Sequence, residues 1–179
     1  MEIIDITQEI FGGKVYEGDI PPSYERVKRI SDGDECNLTN IKMCVHNCTH
    51  IDAQCHYVDG GKSVEKIELN KVIGETLLID RKRLPTALNE KVSKLIIKDA
   101  EELTLKEALM ISESQIELIG ISGQSVGNDE IHRILLSKEI VLLEGLSLDN
   151  AECGKYMLFA APIKLGGSDG APVRALLIR

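Results

Sequence analysis

Three of the four histidines in this 179-residue chain fall within eleven residues, together with an aspartate, in His46-Asn47-Cys48-Thr49-His50-Ile51-Asp52-Ala53-Gln54-Cys55-His56. His46, His50, Asp52 and His56 are all even-numbered, so on an extended chain they share one face, because side chains alternate. A helix does not reproduce this: His46 and His50 align, but Asp52 points well away. A straight strand over the stretch spans roughly 33 Å. One ion with bonds of about 2 Å cannot bridge that. A chain that uses these groups together has to bend, and the bend is expected near Asn47 to Thr49. His50 and Asp52 are the best local pair, same-face neighbours about 6–7 Å apart at Cα.

Neutral imidazole and carboxylate are the ligands that hold a divalent transition metal. The fourth histidine, His132, lies twelve residues before Glu144, which interrupts the apolar run Ile140-Val141-Leu142-Leu143-Glu144-Gly145-Leu146. A carboxylate at the end of a buried strand is costly unless it is paired or metal-bound. Taken singly, these residues have plainer readings: Glu144 reaching water, His132 solvated on a helix, His56 on the surface. A structural zinc site from Cys44, His46, Cys48 and His50 is a further alternative. Such sites usually take ligands in separated pairs, and it leaves Asp52, His132 and Glu144 unexplained. Together the groups read as a metal-centred hydrolytic site.

The length fits one domain, residues 1–179, with room for a sizeable core. A formal net charge of -8 argues against nucleic acid or an anionic membrane as partner. No apolar run is long enough to span a bilayer, and Met1 to Asp5 lacks a signal-peptide pattern. A cytoplasmic location is therefore expected, where the five cysteines stay reduced. With no Trp and two Phe, an extensive aromatic wall is not expected.

Short apolar runs alternate with amphipathic stretches. Strands are expected at 2–7, 41–45, 76–80, 116–121, 139–146, 156–163 and 173–178, with 64–73 helical or irregular. Tyr16 to Pro22 reads as a loop, and Gly166 to Gly170 as a hinge or turn. Thr104-Leu105-Lys106-Glu107 matches a capping box opening a helix to about Ser112. Asn128 or Asp129 can cap a second helix that carries His132. The alternation indicates an α/β domain with an at least partly parallel sheet. Between the strand at 116–121 and that helix, Gly120, Gly123 and Gly127 lack the spacing of a nucleotide-binding loop. That loop reads as a turn bordering the pocket.

The histidine stretch resembles the H-x-G-T-H-x-D-x-P-x-H motif of the cyclase-like metal-dependent hydrolases, the family that includes bacterial kynurenine formamidase and isatin hydrolase. Val15-Tyr16-Glu17-Gly18-Asp19, Asp59-Gly60-Gly61, Leu142-Leu143-Glu144-Gly145-Leu146 and Asp169-Gly170-Ala171-Pro172-Val173-Arg174-Ala175 resemble further segments of that family, in order, over nearly the whole chain. The resemblance implies a compact β/α/β swivel-like domain with a mixed sheet. It implies that His46, His50 and Asp52 bind a first ion, and that Asp52 bridges to a second completed by His132 and Glu144. By the same resemblance, His56 is the residue expected to move protons. Zinc is the implied metal, one or two ions, with manganese in some members. The implied activity is hydrolysis of an amide, lactam or ester carbonyl of a small molecule, as in N-formyl amide hydrolysis. The alternatives are a lactone- or isatin-type cyclic substrate and a non-catalytic metal-binding regulatory relative. A homodimer or homotetramer with sites near subunit interfaces is implied as well. Cys48 stands where the motif has Gly and Gln54 where it has Pro, while Ser122 and Gly127 stand where acidic residues are expected. Gly permits a backbone shape that Cys resists, and the Cys48 thiol could ligate, oxidise or pack.

Overall fold

The computed structural model describes residues 1–179. β1 (Ile3–Asp5) precedes a hairpin of β2 (Ser23–Lys28) and β3 (Leu38–Lys42), followed by β4 (His50–Asp52). Next come α1 (Leu69–Val72), β5 (Ile73–Ile79), α2 (Leu84–Ala87), β6 (Lys94–Ile97), α3 (Leu105–Ser112), β7 (Leu118–Ile121), α4 (Asp129–Ser137) and β8 (Val141–Glu144). β9 (Gly154–Phe159), β10 (Gly170–Pro172) and β11 (Leu176–Ile178) complete the chain. A 9-stranded sheet runs β1-β11-β9-β5-β6-β7-β8-β4-β10, and β2 and β3 pair only with each other.

β5, β6, β7 and β8 are parallel neighbours, and the flanking strands join antiparallel. Parallel strands are covered on both faces and so read as unbroken apolar runs. Alternation then divides each run between two cores. Ile79, Ile97, Ile121 and Leu142 pack towards α3 and α4. Leu78, Ile96, Leu143 and Leu177 pack on the other face. The result is the α/β architecture with a mixed sheet anticipated from the sequence. No helix is long and apolar enough to cross a membrane.

Several boundaries differ from the sequence-based expectation. The strand expected at 41–45 ends at Lys42 and belongs to the separate hairpin, because the chain turns before reaching the histidines. β6 is a four-residue strand with three apolar residues, Leu95 to Ile97, too short for periodicity to announce. The glycine segment at 166–170 leads directly into β10, whose residues pair with β4. Both expected helices form where their caps place them. Thr104 Oγ1 accepts from the Glu107 N–H while Glu107 accepts from the Thr104 N–H, and Asn128 caps α4.

Arg81 pairs with Glu107 through two guanidinium nitrogens. This pairing, working against partial burial, holds the Glu107 carboxyl down at about 2 from its ordinary 4.5. A depressed carboxylate stabilises fully above its unfolded value and loses that contribution as pH falls through the folded one. Glu107→Gln should therefore lower Tm at pH 7, with the gap to wild type shrinking from pH 4.5 downward. A gap independent of pH contradicts the pairing. Thr104→Ala should cost about 1 kcal/mol of unfolding free energy, read by urea denaturation.

Candidate metal centre

The bend expected between His46 and His50 is a turn over residues 45–49, with Cys48 in the left-handed region at φ 59. This is the backbone shape that glycine adopts freely and other residues resist. The Cys48 side chain is fully buried and turned from the cluster, its single S–H facing the carbonyls of Ile10 (3.2 Å from Sγ) and Lys14 (3.4 Å). Burial pushes its thiol pKa up. Cys48 therefore packs, and neither Cys44 nor Cys48 joins the groups of side chains close enough to share an ion.

After the turn, β4 lies between β8 and β10, with His50 opposite Glu144 on one side and Pro172 on the other. His50 and Asp52 share a face as their spacing requires, and Ile51 between them enters the core. A 3-10 turn at Gln54–His56 returns His56 over His46, their rings stacked 4.1 Å apart. Gln54 Oε1 accepts from the Lys62 N–H at 3.0 Å, fastening that turn. α4 contributes His132, whose ring stacks on Tyr57 at 4.6 Å. Gly170 is needed for a close approach, because a Cβ there would lie 2.6 Å from His46 Cε1.

All six residues singled out in the sequence converge. His50 Nε2 lies 3.3 Å from Asp52 Oδ1 and 3.1 Å from Glu144 Oε2. His132 Nε2 lies 3.6 Å from Asp52 Oδ2 and 3.5 Å from Glu144 Oε1. His46 Nδ1 is 2.8 Å from Asp52 Oδ1. Two groups have ligand atoms all within 4.8 Å of one another: His46, Asp52 and His56, and His50, Asp52 and Glu144. Asp52 belongs to both. The site opens to a cavity of about 210 Å³ that also touches Tyr16, Tyr57 and the loop after β7.

The hydrogen bonds fix which nitrogens face the centre. His50 Nδ1 lies 2.9 Å from the Cys48 carbonyl, and His132 Nδ1 lies 3.0 Å from that of Asn128. A carbonyl only accepts, so each Nδ1 carries the hydrogen and each Nε2 turns towards Asp52 and Glu144. Those carboxylates are 1% and 2% exposed. Glu144 Oε1 accepts the Val126 N–H at 2.6 Å, while Asp52 Oδ2 is buried with no hydrogen-bond partner. Two buried carboxylates facing two imidazole lone pairs are stable only with positive charge between them. Without a cation, that charge is protons. Burial by itself would depress His50, but Asp52 and Glu144 outweigh it and hold its pKa well above the ordinary value. Burial likewise opposes, and Glu144 overrides, in raising His132. Asp52, despite burial, is held below the usual carboxylate range by His46 and His50.

Asp169, immediately before β10, was not singled out from the sequence as a functional residue. It accepts from both His46 Nε2 (2.9 Å) and His56 Nδ1 (3.2 Å) through Oδ2. Only its place in the Asp169-Gly170-Ala171 segment hinted at it, since its partners are more than a hundred residues away. Burial pushes the His56 pKa down, against the pull of Asp52 and Asp169.

Comparison with known proteins agrees with this geometry. The family model Cyclase, described as "Putative cyclase", matches residues 4–126. Kynurenine formamidase of Bacillus anthracis is 30% identical over 200 residues, covering 97% of this chain and 96% of that protein. Cyclase-like protein 2 of Oryza sativa subsp. japonica is 30% identical over 187 residues, covering 85% and 69%. A solved structure described as a potential metal-dependent hydrolase with cyclase activity superposes with a TM-score of 0.79 at 27% identity, covering 98% of this chain and 96% of that one. Isatin hydrolase A from Labrenzia aggregata shares the fold, with a TM-score of 0.82 at 19% identity over 98% and 93% of the two chains. The chain belongs to the cyclase family of metal-dependent hydrolases.

Proposed function

We propose that this protein is a metal-dependent hydrolase of small-molecule amides, kynurenine formamidase-like in its chemistry. The observation that carries the reading is the pair of Nε2 atoms, on His50 and His132, aimed at two buried carboxylates, one of which has an oxygen without a partner. The donor set of imidazole and carboxylate suits zinc, and manganese to a lesser degree. Asp52 shared between two groups of ligand atoms favours two ions, with His46, His50, Asp52 and Glu144 as holders and His132, whose Nε2 lies 3.6 Å from Asp52 Oδ2 and 3.5 Å from Glu144 Oε1, as a further one. Bound there, the metal supplies Lewis-acid activation of water and of a substrate carbonyl.

The chain's own residues supply the rest. Asp169 accepts from His56 Nδ1, which leaves Nε2 as the free basic nitrogen. Burial keeps His56 neutral near pH 7, ready to take a proton from the attacking water and return it to the leaving nitrogen. Asp169 positions that ring, and the stacked His46 fixes its plane.

A homodimer is part of the reading. β2 and β3 pair with no other strand, and Tyr24, Leu38 and Ile41 are 59%, 46% and 58% exposed. An isolated two-stranded hairpin is marginal in water. A second copy covering this face accounts for it. Light scattering should give a mass of two chains or a multiple of two. A monomer at micromolar concentration contradicts this part.

His56→Ala should keep the metal content of wild type and reduce turnover by about 100- to 10,000-fold. Loss of metal together with activity makes His56 a ligand instead. Chelator treatment should lower Tm, and added zinc or manganese should restore it, the stabilisation amounting to about 2.7 kcal/mol at a hundredfold excess over Kd. Asp52→Asn should abolish that metal-dependent rise. A Tm indifferent to chelator and metal contradicts the proposal.

A further inference from the structure

The 3-10 turn at Gln54–His56 places two rings. It closes with the Tyr57 N–H donating to the Gln54 carbonyl, so the ring that follows His56 is fixed by the same turn. Tyr57 is neither a metal ligand nor the proton carrier. It packs against the core that α3 and α4 cover and reaches the first turn of α4. Its hydroxyl donates to Asp129 Oδ1 at 3.2 Å. Arg133, with Nη2 3.4 Å from Asp129 Oδ2, holds its guanidinium 5.6 Å from the Tyr57 ring centre. Asp129, His132 and Arg133, all from one turn of helix, therefore meet on this one ring.

The rings of Tyr57 and His132 lie 4.6 Å apart with their planes 22° from parallel. His56 meets the same imidazole only edge-on, at 6.0 Å and 81°. The outer torsion of a histidine side chain is broad, so a rotamer alone does not set the plane of the ring. The bond from Nδ1 to the Asn128 carbonyl restrains one edge of the imidazole. The stack on Tyr57 restrains its face. Nε2 lies on the edge away from the Asn128 bond, and a tilt of the plane carries it off its approach to Asp52 Oδ2 (3.6 Å) and Glu144 Oε1 (3.5 Å). Groups that orient a ligand histidine are worth about 10- to 100-fold in metal affinity. Because Tyr57 follows His56 directly, one turn of chain seats His56 on His46 and Tyr57 on His132.

Resting on the metal-centre reading of this site, we propose that Tyr57 is a positioning residue for metal binding, its ring holding the His132 imidazole in the plane from which Nε2 faces Asp52 and Glu144. The flat face of the ring does this work. The hydroxyl bond to Asp129 serves only to dock α4.

The test titrates metal-free full-length protein with zinc in competition with a chromophoric chelator. Tyr57→Phe, Tyr57→Leu and Tyr57→Met are each made in wild type and in His132→Ala. Tyr57→Leu and Tyr57→Met lack a flat ring and should weaken zinc affinity by about tenfold or more. Tyr57→Phe keeps the ring and should stay within about threefold of wild type. In His132→Ala, the Leu and Met changes should shift affinity by less than about threefold, because the group they act through is gone. Unchanged affinity in both Tyr57→Leu and Tyr57→Met overturns the assignment, and so does a loss in Tyr57→Phe as large as theirs. A loss of equal size in the His132→Ala background also overturns it, since a general loosening of the fold weakens both backgrounds alike. Zinc binding with the expected coupling, but no hydrolysis of amide, lactam or ester substrates, leaves the role of Tyr57 standing and removes the hydrolase reading. A wild type that binds no zinc removes both.

Discussion

Asp52 and Glu144 are the pivot of this molecule. Two carboxylates buried together repel each other and have lost their water, so the surrounding chain has to supply positive charge. It supplies imidazole nitrogens from three directions: the turn before β4, β4 itself and α4. The backbone carbonyls of Cys48 and Asn128 decide which nitrogen of His50 and His132 turns inward. Antiparallel pairing of β4 with β8 puts His50 opposite Glu144, so sheet register and donor geometry are one constraint. A one-residue slip would turn His50 and Asp52 into the core and bring Ile51 to the site.

The parallel strands make this position affordable. Their apolar runs bury on both faces, and the polar centre sits at the end of β8 where the main core stops. Loops then complete the centre. Val126 bonds Glu144, Thr49 Oγ1 bonds the Gly145 carbonyl, and Asp169 fastens two histidine rings. The local strain of Cys48 fits the same scheme. A left-handed residue is required to turn the chain from His46 into β4, and burial with two Sγ contacts offsets part of its conformational cost.

Much of this was legible in the sequence because it is local. The Thr104 and Asn128 caps, the bend before His50 and the shared face of His50 and Asp52 follow from spacing and side-chain chemistry alone. The even-numbered pattern was meaningful only in part: His50 and Asp52 do lie on one strand, but His46 reaches Asp52 through a turn and His56 through a 3-10 turn. Other features depend on contacts between distant segments. Asp169 meets His46 across 123 positions, and nothing in its own neighbourhood indicates that partner. β10 is hidden because a Gly-Ala-Pro strand has no strand propensity; its pairing with β4 creates it.

Anomalous diffraction from crystals grown with zinc or manganese, collected on both sides of the metal's absorption edge, is the most direct measurement. Density should appear among His50 Nε2, Asp52, His132 Nε2 and Glu144, within bonding distance of at least three of them. A fully metallated crystal whose anomalous peaks all lie elsewhere, with these side chains still joined only to one another, would contradict the assignment of a metal centre.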